Sequence, residues 1–141
     1  MENNLYDFGM IGLGVMGSNL LLNIADNGFK AIGYDTNPVK TTALESSATK
    51  GTMVKGVNTL HEMISLLQKP RKIMMLVPAG NPVDSVIGEL IPLIEPGDLI
   101  IDGGNSHYTD TLKRISSLKE KNINFMGIGI SGGEQGARLG P

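Results

Sequence analysis

The stretch Gly12-Leu13-Gly14-Val15-Met16-Gly17 stands between an apolar run that ends at Ile11 and a helical pattern that begins at Val15, and it constrains this chain more than any other segment. Glycines at this spacing leave backbone N–H groups unobstructed above the positive end of a helix, which is what a pyrophosphate requires. Gly12 permits the tight turn, Gly14 lets the backbone approach the phosphates, and Gly17 lets the helix pack closely on the strand. The pattern discriminates only in context: a strand before it, a helix after it, and an acid about 20 residues on. Phe8 to Ile11 supplies the strand, Asn19 to Ile24 continues the helix, and Asp35 closes the apolar run Ala31-Ile32-Gly33-Tyr34.

At 141 residues the chain is one domain by length, large enough to bury a real core. Its net charge of -2, with signs mixed, provides no basic field for nucleic acid. Lys69-Pro70-Arg71-Lys72 reads as a solvated turn between two apolar segments. The absence of cysteine rules out disulfides and thiol chemistry and fits a cytoplasmic enzyme. No apolar run reaches the ~18 residues of a membrane span, and the N-terminus does not read as an export signal. With three Phe, three Tyr and no Trp, the core must be aliphatic and methionine-filled. Met10, Met63, Met74 and Met75 fall at packing positions, and no His or Cys accompanies them at metal-ligand spacing, so no metal site is expected.

Along the chain, strands alternate with helices. Met16, Leu20 and Ile24 are spaced as one face of the first helix, and Asn27-Gly28 ends it. After the strand Lys30 to Tyr34, Asn37-Pro38 reads as an N-cap with proline in the first turn of a helix to about Ser46. Residues 48–57 read as a short strand or an irregular edge. Thr59-Leu60-His61-Glu62 has the form of a capping box opening a helix with Leu60, Ile64 and Leu67 inward, and His61 is a surface residue. Lys72 to Val77 is a strand buried on both faces. Asn81-Pro82 repeats the cap-then-proline pattern, with Val83, Ile87 and Leu90 or Ile91 behind it. Asp98 to Asp102 is another buried strand. A helix from Tyr108 to Lys119 follows with Leu112, Ile115 and Leu118 inward, and Ile123 to Met126 is the last strand. This alternation predicts an α/β, Rossmann-type, doubly wound and mostly parallel sheet with helices on both faces. Ligands collect beyond the carboxyl ends of such strands. The turns at Gly12, Asp35, Pro78 and Gly103 and the segment at Ser131 share that rim.

Asp35 bears on the choice of nucleotide. Its carboxylate can accept hydrogen bonds from ribose hydroxyls but repels a 2′-phosphate, by about 1 kcal/mol per charge pair at ~4 Å in water and about 4 at intermediate dielectric. Lys40 is the nearest cation in sequence, and Thr36 and Asn37 are neutral, so NAD is favoured over NADP. The alternative role for Asp35 is to cap the helix at Pro38.

The first motif, extended through Ser18-Asn19-Leu20, is joined by three others: Val77-Pro78-Ala79-Gly80 with Val83-Asp84, Ile101-Asp102-Gly103-Gly104-Asn105-Ser106, and Ser131-Gly132-Gly133-Glu134-Gln135-Gly136-Ala137-Arg138-Leu139-Gly140-Pro141. Together they resemble the N-terminal domain of the decarboxylating 6-phosphogluconate dehydrogenases over essentially the whole chain. The first motif alone is shared with other hydroxyacid dehydrogenases, including 3-hydroxyisobutyrate dehydrogenase. The resemblance implies an oxidative decarboxylation without metal. Hydride leaves C3 of 6-phosphogluconate for the nicotinamide, the 3-keto acid loses CO2, and the enediol is protonated to ribulose 5-phosphate. It also implies that Gly12, Leu13, Gly14, Val15, Met16 and Gly17 hold the pyrophosphate and that Asp35, Thr36 and Asn37 meet the adenosine ribose. Val77, Pro78 and Ala79 would line the cofactor's path. Asn105 would touch nicotinamide nucleotide and substrate, and Ser131, Gly132 and Gly133 would bind the sugar acid. From the residues alone, Ser131-Gly132-Gly133 is either a polyhydroxy-carboxylate site or a plain linker.

Members of that family that use NADP usually carry an Asn-Arg-Thr-like triplet where this chain has Asp35-Thr36-Asn37, in accord with the charge argument for NAD. Many carry lysine at the place of Pro78, so that lysine's contact to the adenine side of the cofactor is not carried over. The family's general-base lysine, its acid-donating glutamate and the large helical domain that completes site and homodimer match nothing up to Pro141. The expectation is therefore an NAD(P)-binding domain over residues 1–141, the N-terminal part of a longer enzyme, binding nucleotide without turnover and with no catalytic residue of its own. His107 is the one neutral-pKa side chain near Asn105 and reads as a helix-start surface residue. The alternatives are a free-standing dinucleotide-binding regulatory module or another 3-hydroxyacid dehydrogenase.

Overall fold

The computed structural model describes residues 5–104 and 106–128. Strands and helices alternate throughout: β1 (Phe8–Ile11), α1 (Val15–Asp26), β2 (Ala31–Tyr34), α2 (Pro38–Ser47), β3 (Val54–Val57), α3 (Leu60–Ser65), β4 (Lys72–Met75), α4 (Asn81–Leu90), β5 (Leu99–Asp102), α5 (Tyr108–Lys119) and β6 (Asn124–Gly127). The strands form one sheet in the order β3-β2-β1-β4-β5-β6, and every adjacent pair is parallel. This is the Rossmann-type doubly wound sheet expected from the alternation, with its direction of growth reversing between β1 and β4.

Parallel strands carry helices on both faces, so their residues are apolar in both directions. Met10 pairs with Met74, and Met74 with Ile101. The two methionines enter one core beneath α1 and α2, with Leu21, Ala25 and Leu44. Their neighbours Ile11, Ile73 and Met75 enter the other, beneath α3, α4 and α5, with Met63, Leu90 and Leu118. Met10, Met63 and Met75 have no exposed surface, which bears out methionine as core filler.

Two helix starts follow the residue pattern. Asn37 Oδ1 accepts from Val39 N at 2.9 Å with Pro38 in the first turn, and Thr59 Oγ1 accepts from Glu62 N at 3.2 Å. At α4 the expectation shifts by one residue. Gly80, not Asn81, is the N-cap; it has φ +93° and no capping side chain, and Asn81 is the first helical residue.

Two helix faces and one charged turn also differ from expectation. In α1 the buried residues are Gly17, Leu21, Leu22 and Ala25, whereas Met16, Leu20 and Ile24 are half-buried. The reason is steric: Gly17 lies so close to the Gly12 carbonyl oxygen that a Cβ there would overlap it, and seating this glycine inward sets the rotation of the helix. In α5 Leu112 is 48% exposed and Ile115 half-buried, while Arg114 and Leu118 face in. An ion pair turned Arg114 inward where spacing pointed to leucine. The basic cluster at 69–72 divides likewise. Lys69, Pro70 and Lys72 are exposed, but Arg71 is buried, its guanidinium 2.9 Å from Asp98 Oδ2 and donating through Nε to the Ile64 carbonyl at 3.1 Å.

Asp98 is buried too, and its carboxylate also accepts from Arg71 N at 2.8 Å and Glu95 N at 3.0 Å. Every partner of that carboxylate comes from the loops before β4 and β5. Asp98→Ala leaves a buried guanidinium uncompensated and is expected to cost about 3–5 kcal/mol in urea unfolding followed by circular dichroism. Lys69→Ala, which removes only an exposed pair with Glu95, is expected to cost under ~1 kcal/mol in the same assay.

Candidate nucleotide-binding site

The site is built from the carboxyl ends of β1, β2, β4 and β5. After β1 the chain turns at Gly12 with φ +97°, a conformation that a side chain disfavours and that here brings the residue against β4; a Cβ would stand 2.5 Å from the Leu76 carbonyl oxygen. Gly12 N donates to the Tyr34 carbonyl at 2.9 Å, tying the turn to β2. Gly14 caps α1 with an ordinary backbone conformation, and a Cβ added there would meet nothing within 4 Å. The three glycines thus do different things. Gly12 and Gly17 are held by close backbone approach, and Gly14 borders open space.

That open space lies at the end of α1, which has no capping side chain and no acid in its first turn. Each other described helix has at least one of these: Asn37 at α2, Thr59 with Glu62 at α3, Asp84 at α4, and His107 with Asp110 at α5. Among the described helices α1 is therefore the one with neither a capping side chain nor a first-turn acid, which leaves its first N–H groups to a pyrophosphate. The residues present fit a dinucleotide.

Asp35 follows β2 and faces this turn. Its Oδ2 accepts from Leu13 N at 2.9 Å and its Oδ1 from Asn37 N at 2.9 Å, while Asn37 itself caps α2. Asp35 is thus a brace between the glycine turn and the next loop rather than the helix cap. A carboxylate offers about four acceptor positions, so acceptor capacity remains for ribose hydroxyls. Asn58, which residue patterns did not single out, donates through Nδ2 to the Asp35 carbonyl at 2.9 Å and to Thr41 Oγ1 at 3.2 Å. Thr36 and Asn37 are exposed beside Asp35. Burial first, then Glu89 and Asp35, hold the Tyr34 hydroxyl above its ordinary pKa of 10.0, so it stays neutral at pH 7.

On the other side of β1, Val77 is half-buried and Pro78 and Ala79 are exposed. Val77 bridges the rim: its Cγ1 would lie 3.7 Å from a Cβ on Gly12, and its carbonyl oxygen blocks any Cβ on Gly104. The structure thereby brings Gly12 to Gly17, Asp35 to Asn37, Val77 to Ala79 and Gly104 to one edge of the sheet. Asn105, Ser131, Gly132 and Gly133 lie outside the described residues. His107 is exposed and caps α5, its Nδ1 accepting from Thr109 N at 3.3 Å. Among the described residues no group of three or more His, Cys, Asp or Glu is placed to hold a metal ion. No helix there is long and apolar enough to cross a membrane.

A charged cluster not anticipated from residue patterns completes this side. Arg114, 7% exposed, donates through Nε to Asp84 Oδ1 at 2.8 Å and through Nη2 to Asp84 Oδ2 at 3.2 Å and the Gly80 carbonyl at 3.3 Å. Its Nη1 lies 3.8 Å from Oδ2 of the fully buried Asp102 carboxylate. One signal was available, since Arg114 precedes Leu118 by four residues and so shares its helical face. The hydrogen bond from Arg114 holds the Asp84 carboxyl below its usual pKa, against an opposing effect of burial, and Asp84 in turn raises that of Arg114.

Comparison with known proteins places the chain in one family. The family model described as the NAD binding domain of 6-phosphogluconate dehydrogenase matches residues 7–141. The decarboxylating 6-phosphogluconate dehydrogenase 1 of Saccharomyces cerevisiae is 50% identical over 135 residues, covering 96% of this chain and 28% of the yeast protein. The solved 6-phosphogluconate dehydrogenase of Plasmodium falciparum, described in apo form and with NADP+ or 6-phosphogluconate, superposes with a TM-score of 0.88 at 44% identity over 94% of this chain and 28% of that one. A 3-hydroxyisobutyrate dehydrogenase from Mycobacterium tuberculosis has the same fold, with a TM-score of 0.80 at 19% identity over 95% of this chain and 43% of that one. This chain spans just over a quarter of the length of its 6-phosphogluconate dehydrogenase relatives.

Two outcomes follow from this geometry. Gly17→Ala is expected to destabilise the chain by about 1–3 kcal/mol in urea unfolding, whereas Gly14→Ala changes stability by under ~1 kcal/mol. Because the folded-state pKa of Asp84 is depressed below 3.8, its contribution is present above that value and lost as pH falls through the folded pKa. The stability gap between wild type and Asp84→Asn, measured as urea midpoints from pH 7 downward, is expected to close below about pH 4.

Proposed function

Since the chain belongs to the family of NAD-binding domains of 6-phosphogluconate dehydrogenase, we propose that it is the nucleotide-binding part of a cytoplasmic dehydrogenase converting 6-phosphogluconate to ribulose 5-phosphate and CO2. The observation that carries this reading is the glycine turn at an uncapped helix start, braced by Asp35 beside the sheet's switch point. A dinucleotide bound there supplies a hydride acceptor. The backbone of Gly12 to Gly17 holds the pyrophosphate, Asp35, Thr36 and Asn37 meet the adenosine ribose, and Val77, Pro78 and Ala79 border the path to the nicotinamide. Asn105 meets both the nicotinamide nucleotide and the sugar acid, and Ser131, Gly132 and Gly133 meet the sugar acid. The general acid and base belong to a larger, homodimeric protein of which residues 1–141 form the N-terminal domain.

In this reading NAD is preferred to NADP. The Asp35 carboxylate is fixed on the adenosine side by two backbone N–H groups, and it would face a 2′-phosphate as a like charge, at about 1–4 kcal/mol depending on local dielectric. The Plasmodium falciparum enzyme is described with NADP+, so the preference rests on Asp35 rather than on the family. Titration by nucleotide fluorescence is expected to give tighter binding of NADH than of NADPH, by about fivefold or more. Asp35→Asn, which keeps one acceptor oxygen and removes the charge, is expected to narrow that ratio. Tighter NADPH binding by the wild-type chain would overturn the preference, and absence of binding by either nucleotide would overturn the function.

A further inference from the structure

Asp102 ends β5 with a carboxylate that has no exposed surface, and both of its oxygens are committed to the residues that flank Asn105. Oδ1 accepts from Gly104 N at 2.8 Å, and Oδ2 accepts from the Ser106 hydroxyl. Such a buried charge needs compensation, and Arg114 supplies it from 3.8 Å. The same guanidinium reaches the Gly80 carbonyl and Asp84, at the start of α4. Arg114 therefore ties together the segment after β4, from Val77 to Gly80, and the described residues after β5, Asp102 to Gly104 and Ser106.

Those two segments lie on one side of the switch point. With the pyrophosphate on the glycine turn and the adenosine at Asp35, on the β2 side of β1, a dinucleotide crossing the crevice lays its other half over the ends of β4 and β5. We propose that Arg114, Asp102 and Ser106 form a positioning network that sets these two segments against the nicotinamide half of the nucleotide. The proposal rests on the nucleotide reading given above. Arg114 and Asp102 act through the backbone and through the residues that they hold in place, and the adenosine half, braced by Asp35, is independent of them.

Comparing NADH with ADP-ribose, which keeps both riboses and the pyrophosphate and lacks only the nicotinamide, tests this on the 141-residue chain. Ser106→Ala, which deletes one hydroxyl, and Arg114→Lys, which keeps the charge but removes the fork, are each expected to weaken NADH binding by about tenfold and ADP-ribose binding by less than about twofold. Ser106→Thr, which retains the hydroxyl, restores NADH affinity. Equal losses for the two ligands, or no loss for NADH in Ser106→Ala, would overturn the positioning role. Failure of the wild-type chain to bind ADP-ribose would overturn the nucleotide reading itself, and this network's role with it.

Discussion

Close backbone contact between Gly17 and the Gly12 carbonyl is the constraint from which much of this molecule follows. It presses the first turn of α1 onto the end of β1, which is possible only where neither residue brings a side chain between them. Seating Gly17 inward rotates α1 so that Leu21 and Ala25, at four and eight residues further on, enter the core, and Met16, Leu20 and Ile24 are displaced to its margin. The same contact leaves the end of α1 pointing over the rim with its first N–H groups uncapped. Packing and binding are thus two results of one steric condition.

Carboxylates hold the two edges of the sheet. At the amino edge, Asp7 accepts from Lys30 N at 2.8 Å, and Asp98 gathers Arg71 and Glu95. At the carboxyl edge, Asp35 gathers Leu13 and Asn37, and Asp102 gathers Gly104 and Ser106. Each satisfies backbone donors in turns where the ladder has ended. Asp98 and Asp35 differ in what they leave open. At the amino edge Asp98 is closed off by a buried arginine, whereas Asp35 at the carboxyl edge stays partly open to solvent and can accept from a ligand.

Legibility from residue order followed the locality of the cause. The glycine spacing, the caps at Asn37 and Thr59, and the continuous apolar runs Ile73-Met74-Met75 and Leu99-Ile100-Ile101 act within a few residues, and each marks its element correctly. Where a distant charge set the outcome, local spacing misled. Arg71 looked like one member of a solvated cluster and is buried because Asp98 arrives from 27 positions away. Arg114 took an inward place that apolar periodicity assigned to Leu112, because Asp84 arrives from 30 positions away.

By itself, the order of residues determined the alternation of strands and helices, the parallel sheet and the nucleotide cradle. Each of these is set by hydrophobic period and by backbone freedom at single residues. It also placed Asp35 after β2, the right distance from the glycines. Only the tertiary structure decided what that carboxylate does before any ligand arrives: it clasps Leu13 N across the rim. Only the tertiary structure decided which face of α1 is buried, and that Arg114 joins the ends of β4 and β5. Those outcomes depend on contacts between segments brought together by the sheet, and no periodicity along one segment encodes its rotation or its partner.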